Sequence, residues 1–249
     1  MDRFSKLPDF IMHHIMSYLS AKEVAQIGSL SKKWKGLSES FPIFDFRDSY
    51  IHFMGEDLAY TNLDPTLEFD SEEIEEFLEL VPKFINFVDA SLSRFSDLNL
   101  RMQKFMLNIC VVVDVQIMSP VLENWLRSAI ECGVEELELD FLGTKDTEVI
   151  YTLPQIMFSA KSTNTIKLRG CKLEQPSNNI TRLLSLKSLT LNEVCMQEET
   201  IQKLIGQCPL LEKISLKNCW GFKRFYALKQ LTNSRLSRFV HHWNMSLEP

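Results

Sequence analysis

Apolar residues recur along this chain at two different periods. From Leu7 to Leu37 the spacing is helical. Ile11, Ile15, Tyr18 and Leu19 share one face of a first segment opened by Leu7-Pro8. Ser20 and Glu23 stand at capping-box spacing, which predicts a second helix from Ala21 with Val24 and Ile27 on its apolar side. Gly28 is its expected stop, and Leu30, Trp34 and Leu37 mark a third helix. Residues 1–47 therefore read as a small helical unit. A unit of about 45 residues lies near the lower limit for independent folding, so its apolar faces are expected to need a partner.

The next segment is polar. Residues 56–79 hold ten acidic residues and no Lys or Arg. Ser71 is placed to cap a helix whose acidic first turn suits the helix dipole, with Ile74, Phe77, Leu78 and Val81 at helical spacing. Pro82 is read as its end. Phe84, Ile85, Val88, Leu92 and Phe95 then form the apolar row of a further helix. The carboxylates read as a solvated face, since no Asp-x-Asp-x-Asp-Gly loop accompanies them. The expected organisation is a helical unit over 1–47, an acidic linker with a helix over 48–83, and a third region over 84–249.

That third region repeats itself. Met102-Gln-Lys-Phe105-Met-Leu107, Val134-Glu-Glu-Leu137-Glu-Leu139, Leu186-Lys-Ser-Leu189-Thr-Leu191 and Leu211-Glu-Lys-Ile214-Ser-Leu216 share one L-x-x-L-x-L frame. Thr163-Asn-Thr-Ile166-Lys-Leu168 fits with a polar first position, and Leu236-Ser-Arg-Phe239-Val-His241 with a polar last one. Each L-x-L is a short strand with its apolar side chains on one face. Stacked copies would give a parallel sheet with a continuous core. Helices are expected between strands: one from Ser119-Pro120, with Leu122, Trp125, Leu126, Ala129 and Ile130 on a face and Cys132-Gly133 as its end, and a shorter one through Ile201, Leu204, Ile205 and Cys208.

Composition removes several function classes. The chain has 249 residues, 45% of them hydrophobic, and a net charge of −6. Its most apolar stretch, Phe105 to Met118, is broken by Asn108, Asp114 and Gln116, so no membrane span is expected. Asp2, Arg3 and Lys6, with His13 and His14 in the first apolar segment, do not make a signal peptide. The expected location is cytoplasm and/or nucleus. None of the six cysteines forms a C-x-x-C pair. Cys110, Cys171 and Cys219 occupy one repeat position, and Cys132 and Cys208 end inter-strand helices, so they read as small buried apolar groups rather than metal or redox sites. No nucleophile elbow, zinc-protease helix or phosphate loop is present. Catalytic residues, metal and cofactor are expected to be none. The net charge and the lack of a nucleic-acid motif argue against a nucleic-acid partner.

The N-terminal residues resemble a known family. Leu7-Pro8-Asp9-Phe10-Ile11, Ile15, Tyr18-Leu19, Val24 and Leu30-Ser31-Lys32-Lys33-Trp34 look like an F-box. Phe41-Pro42-Ile43-Phe44-Asp45-Phe46 is similar to the way plant-type F-box proteins leave the motif. Ser20 stands where many members carry proline, and as a cap it starts the next helix equally well. The repeats resemble leucine-rich repeats, which place Asn or Cys three residues past the last leucine; Cys110, Cys171, Cys219 and Asn244 obey. The resemblance implies an α/β chain: an all-helical F-box followed by a short, irregular leucine-rich-repeat solenoid, with parallel strands on the concave face and helices and loops on the convex one.

It also implies a function. The chain would be the substrate-recognition subunit of an SCF-type (Skp–cullin–F-box) ubiquitin ligase and would do no covalent chemistry itself. Leu7, Pro8, Ile11, Ile15, Leu19, Val24, Leu30 and Trp34 would bind a Skp-family adaptor and through it a cullin–RING arm. The alternative is a binding scaffold without ligase turnover. In the strand register, Glu136, Glu138 and Asp140 face outward on the second repeat, Thr165, Lys167 and Arg169 on the third, and Ser188, Thr190 and Asn192 on the fourth. Lys213, Ser215 and Lys217 follow, then Arg238, Val240 and His242. One end of the face is acidic and the other basic, which nominates Lys167, Arg169, Lys213, Lys217 and Arg238 to receive an acidic or phosphorylated segment of a target protein.

Overall fold

The computed structural model describes residues 7–47, 71–110, 115–142, 150–176, 183–222 and 238–242. Three short helices open it: α1 Asp9–Met16, α2 Ala21–Ile27 and α3 Lys32–Glu39. The capping box forms as the spacing predicts. The Ser20 hydroxyl accepts from the Glu23 backbone N–H, and the Glu23 carboxylate accepts from the Ser20 N–H at 2.8 Å. Ser31 caps α3 in the same manner through the Trp34 N–H. The core of this unit is Met12, Met16, Val24, Leu37 and Phe41. The face of α1 turned inward is therefore the methionine pair, not the Ile11/Ile15/Tyr18 row. Phe10, Ile11 and Ile15 fall within an arc of about 140° on the other side of the helix.

Two residues after Phe41 the chain becomes a strand, β1 Ile43–Asp45. It is an edge of a seven-stranded, all-parallel sheet. The other strands are β2 Lys104–Cys110, β3 Glu136–Leu142, β5 Thr165–Arg169, β7 Ser188–Asn192, β9 Lys213–Lys217 and β10 Arg238–His242, in that spatial order. A three-stranded parallel sheet of β4 Tyr151–Thr152, β6 Cys171–Leu173 and β8 Cys195–Met196 lies alongside. The six repeat frames pair residue for residue. Phe105, Leu137, Ile166, Leu189, Ile214 and Phe239 form one cross-strand row, and Leu107, Leu139, Leu168, Leu191, Leu216 and His241 the next. Thr163 shows how a polar first position fits. It is fully buried and its Oγ1 donates to the Val134 carbonyl of the preceding repeat at 2.8 Å.

The helices correct two expectations. α4, Ser71–Asp97, is one helix with Pro82 inside it, not two helices divided there. Val81, Phe84, Val88, Leu92 and Phe95 continue a single buried row across the proline, and packing of that row offsets the lost backbone hydrogen bond. The expected 83/84 boundary thus falls within a helix. α5, Val115–Glu131, begins before Ser119-Pro120 and carries Pro120 within it. Buried Met118 and Leu122 hold both sides of that proline on the sheet. Its end is as expected: Gly133 adopts φ +67°, and the N–H groups of Gly133 and Val134 return to the carbonyls of Ile130 and Ala129. α6, Glu198–Gly206, buries Ile201, Leu204 and Ile205. Trp125 of α5 donates its indole N–H to Asp89 of α4 at 2.6 Å and meets Phe84 edge to face, joining the two long helices.

Candidate functional site

Two surfaces carry the candidate residues. The first is the outside of the three-helix unit. Phe10 is 71% exposed, Tyr18 77% and Leu30 69%, and Ile15 lies at the same surface at 37%. Pro8 is exposed too, and Leu7, Ile11, Leu19 and Trp34 are half-buried. Leu7, Leu19 and Trp34 pack by one side against the unit's core. Val24 differs from the other seven nominated residues. It is buried against that core, so it shapes the surface from inside rather than forming part of it. Phe10 and Tyr18 are the exposed residues of this surface that the nominations missed. Phe10 lies on the side of α1 that holds Ile11 and Ile15, away from Met12 and Met16, but both sides are apolar and the pattern alone does not say which one turns outward.

The second surface is the solvent face of the main sheet. Strand alternation buries Leu137 and Leu139 and leaves Glu136, Glu138 and Asp140 half-exposed. The same register turns Lys167 and Arg169 outward on β5 and Lys213 and Lys217 outward on β9. Arg238 stands in register with Lys213 on β10. The structure separates these five by environment. Lys167 Nζ lies 2.8 Å from Glu138, and Arg169 lies 3.2 Å from Glu193 and 3.7 Å from Asp140. Further along, Lys104 meets Glu136 at 2.9 Å, and Arg47 spans Asp45 at 2.6 Å and Glu138 at 3.3 Å. Such half-exposed pairs contribute about 0.2–1 kcal/mol each. Their weight is in the local potential, which they cancel. The repeat frame itself sets Glu138 opposite Lys167 and Asp140 opposite Arg169.

Burial pushes the Asp140 carboxyl above the usual aspartate range, with Arg169 opposing and Glu193 and Glu138 adding to the rise. A cleft of about 410 Å³ lies where Leu19, Val24 and Phe41 approach Arg47, Lys104 and Glu138, so the helical unit abuts the β1 end of the sheet's solvent face. Two of the thiols sit in the core, while Cys132, Cys195 and Cys219 are half-buried. Cys171 and Cys208 are buried, which pushes both up to about 12. Among the described residues no three His, Cys, Asp or Glu side chains gather as metal ligands, and no helix is long and apolar enough to cross a membrane.

Comparison with known proteins agrees with this architecture. The F-box domain model matches residues 4–46. The leucine-rich-repeat model described as At1g61320/AtMIF1, LRR domain, matches residues 92–239, more than half of the chain. The chain is 30% identical to F-box/LRR-repeat protein At3g59200 of Arabidopsis thaliana, over 96% of this chain and 41% of that one. It is 31% identical to putative F-box protein At1g58310 of the same plant, over 95% and 45%. It is 29% identical to F-box/LRR-repeat protein At4g14103, again from Arabidopsis thaliana, over 94% and 55%. The chain thus spans about half, or less, of the length of these relatives. No solved structure matches it significantly. An F-box whose exit strand is built into a leucine-rich-repeat sheet, matched by both family models, makes this chain a member of the plant F-box/LRR-repeat family.

Proposed function

We propose that this chain is the substrate-recognition subunit of an SCF-type ubiquitin ligase. Its F-box docks on a Skp-family adaptor, which links it to a cullin–RING arm, and the solvent face of its repeat sheet holds a target protein. The observation that carries this reading is the exposure of Phe10, Ile15, Tyr18 and Leu30 on a unit whose own core is already filled by Met12, Met16, Leu37 and Phe41. Exposed apolar groups gathered on so small a unit mark a protein interface. Pro8, Leu7, Ile11, Leu19 and Trp34 border them, and together they suit an interface on the order of 800 Å² per partner. Val24 supports it from within.

The chain acts without covalent chemistry of its own. Holding a target near a charged conjugating enzyme raises the effective concentration of its lysines, and that is the whole catalytic contribution. The cytoplasm and the nucleus, where such assemblies work, are its proposed location. The test is binding of a Skp-family adaptor to the parent chain and to Phe10→Ala/Tyr18→Ala. Truncating central aromatic anchors costs about 2 kcal/mol or more of binding, a loss of roughly thirtyfold. Unfolding midpoints should match, because both side chains are exposed. Undiminished binding by the folded variant overturns the assignment. Co-purification of a cullin with the parent chain separates a ligase subunit from a binding scaffold.

A further inference from the structure

The charges on the sheet's solvent face change character partway across. At the β1, β2, β3 and β5 end the four cations Arg47, Lys104, Lys167 and Arg169 all lie within 3.3 Å of a carboxylate. The register explains why: Lys104 stands opposite Glu136, Glu138 opposite Lys167, and Asp140 opposite Arg169. β7 then presents Ser188, Thr190 and Asn192, which are neutral. β9 presents Lys213 and Lys217, both exposed. Their register neighbours are Ser188 and Asn192 on one side and Arg238 and His242 on the other. From Lys213 to Leu247 the sequence holds seven Lys or Arg and no Asp or Glu. Cations on adjacent strands destabilise a sheet when placed opposite one another. No acidic residue stands in register with Lys213 or Lys217 on either side, whereas the cations of β2 and β5 are charge-paired.

We infer that the β7–β9–β10 part of the sheet receives an extended acidic segment of the target protein, with anionic side chains that meet Lys213 and Lys217. The inference rests on the substrate-receptor reading and adds the chemistry of the target. Lys213 and Lys217 are four residues apart on one face of a strand, or about 13 Å. A segment extended alongside β9 meets both when its anions are also four residues apart. Ser188, Thr190, Asn192 and Ser215 lie beside and between the lysines and supply neutral hydrogen-bond donors to the same groups. Lys167 and Arg169 fall outside this site, because Glu138, Asp140 and Glu193 already answer their charges. Glutamate and phosphoserine share the anionic chemistry that the site reads.

The experiment measures binding by fluorescence anisotropy with the full chain. The probes are a labelled nine-residue peptide with glutamates four positions apart, its phosphoserine counterpart, its lysine counterpart and a single-stranded oligonucleotide. Both anionic peptides are expected to bind, the lysine peptide not to bind, and affinity to fall as salt rises. A phosphoserine arm stronger than its extra charge accounts for shows that the site favours phosphate; equal arms show that carboxylates suffice. Lys213→Glu/Lys217→Glu is expected to weaken binding about tenfold or more, as reversal of a complementary pair does. Lys167→Gln/Arg169→Gln is expected to change it by less than about twofold, since the cations it removes are already paired. Should the reversed variant fail to fold, Lys213→Gln/Lys217→Gln carries the test, with a loss of about threefold or more expected. Equal binding by parent and folded variant, no binding of either anionic peptide, or tighter binding of the oligonucleotide overturns the inference. Adaptor binding is measured on the same samples. Its retention with no peptide binding overturns this inference alone, and its absence from the parent chain overturns the substrate-receptor reading.

Discussion

Gly170→Ala isolates the tightest backbone approach in the repeats. Gly170 follows β5 with φ +66°. A methyl there would fall inside the van der Waals envelope of the Phe141 carbonyl oxygen and 3.0 Å from its carbon. Two costs combine. A left-handed alanine costs about 1–2 kcal/mol. Relieving the overlap means shifting β3 or the turn, and overpacking of this kind costs about 1–3 kcal/mol. Phe141 cannot yield cheaply, because it is buried and stacked on Tyr151 at a ring separation of 4.7 Å. The expected total is roughly 2–5 kcal/mol. That is a large share of the roughly 5–15 kcal/mol typical of a folded chain.

The structure supplies its own control. Glu193 and Asn218 hold the same place after β7 and β9, at φ +52° and +50°. The conformation alone therefore accepts a side chain at this point of the repeat. Position 170 differs because β3 runs on to Leu142 and sets the Phe141 carbonyl beside the turn. The assay is urea unfolding followed by circular dichroism, with the slope of the transition compared between parent and variant. A loss below about 2 kcal/mol at unchanged slope would mean that no more than the left-handed term operates, and the close approach would be refuted.

The remaining expectations test the core, the surface and the thiols. Thr163→Val keeps the shape but deletes the buried hydroxyl that donates to the Val134 carbonyl, and should cost about 1–2 kcal/mol in the same urea assay; a stabilised variant would show that the bond is not formed. Val24→Ala should destabilise the F-box by about 2 kcal/mol, whereas Leu30→Ala, at an exposed site, should leave the unfolding midpoint within about 0.5 kcal/mol of the parent; equal destabilisation would mean that the inside and outside of the unit have been confused. Burial raises the Cys171 and Cys208 thiols to about 12, so both stay neutral through the pH 8–9 range in which an ordinary thiol ionises. Iodoacetamide at about pH 8 should label them only on unfolding, and peptide mapping that finds either one labelled in the native chain would contradict their burial.

Much of this architecture was legible because each repeat carries its own strand frame. Ile166, Leu189 and Ile214 fall into one row in the alignment and into one row in the sheet. The Ser20–Glu23 box announced α2 by chemistry that needs no tertiary context. What escaped depends on distant contacts. Pro82 and Pro120 read as boundaries because a proline's local cost is visible in the sequence, while the packing of Val81, Phe84, Met118 and Leu122 that offsets it is not. Ile43-Phe44-Asp45 is too short to declare a strand, and it becomes one by pairing with Lys104, Phe105 and Met106. α1 is apolar on both sides, so periodicity could not separate Met12 and Met16, which face the core, from Phe10 and Ile15, which face outward. The pairing of Lys167 with Glu138 was within reach, since the repeat frame places them opposite. Arg238 and its neighbours follow the register in backbone alone.

That three-residue strand has a consequence for geometry. Phe41 belongs to the core of the F-box and Phe46 to the core of the repeats, five positions apart. Between them the backbone is pinned on both sides of β1: the Gln103 N–H donates to the Pro42 carbonyl at 2.8 Å, and the Phe46 N–H donates to the Met106 carbonyl at 2.8 Å. Phe46 also meets Phe87 and Phe105 edge to face, which ties the same point to α4 and β2. A connection that pairs into the sheet and ends in a buried aromatic has none of the free rotation of an extended linker. The exposed F-box residues and the open lysines of β9 therefore sit at opposite parts of one framework, with the charge-paired strands β2, β3 and β5 between them. For the substrate receptor proposed above, that constancy would matter, because effective concentration falls steeply when the distance between two binding surfaces is left to a flexible chain.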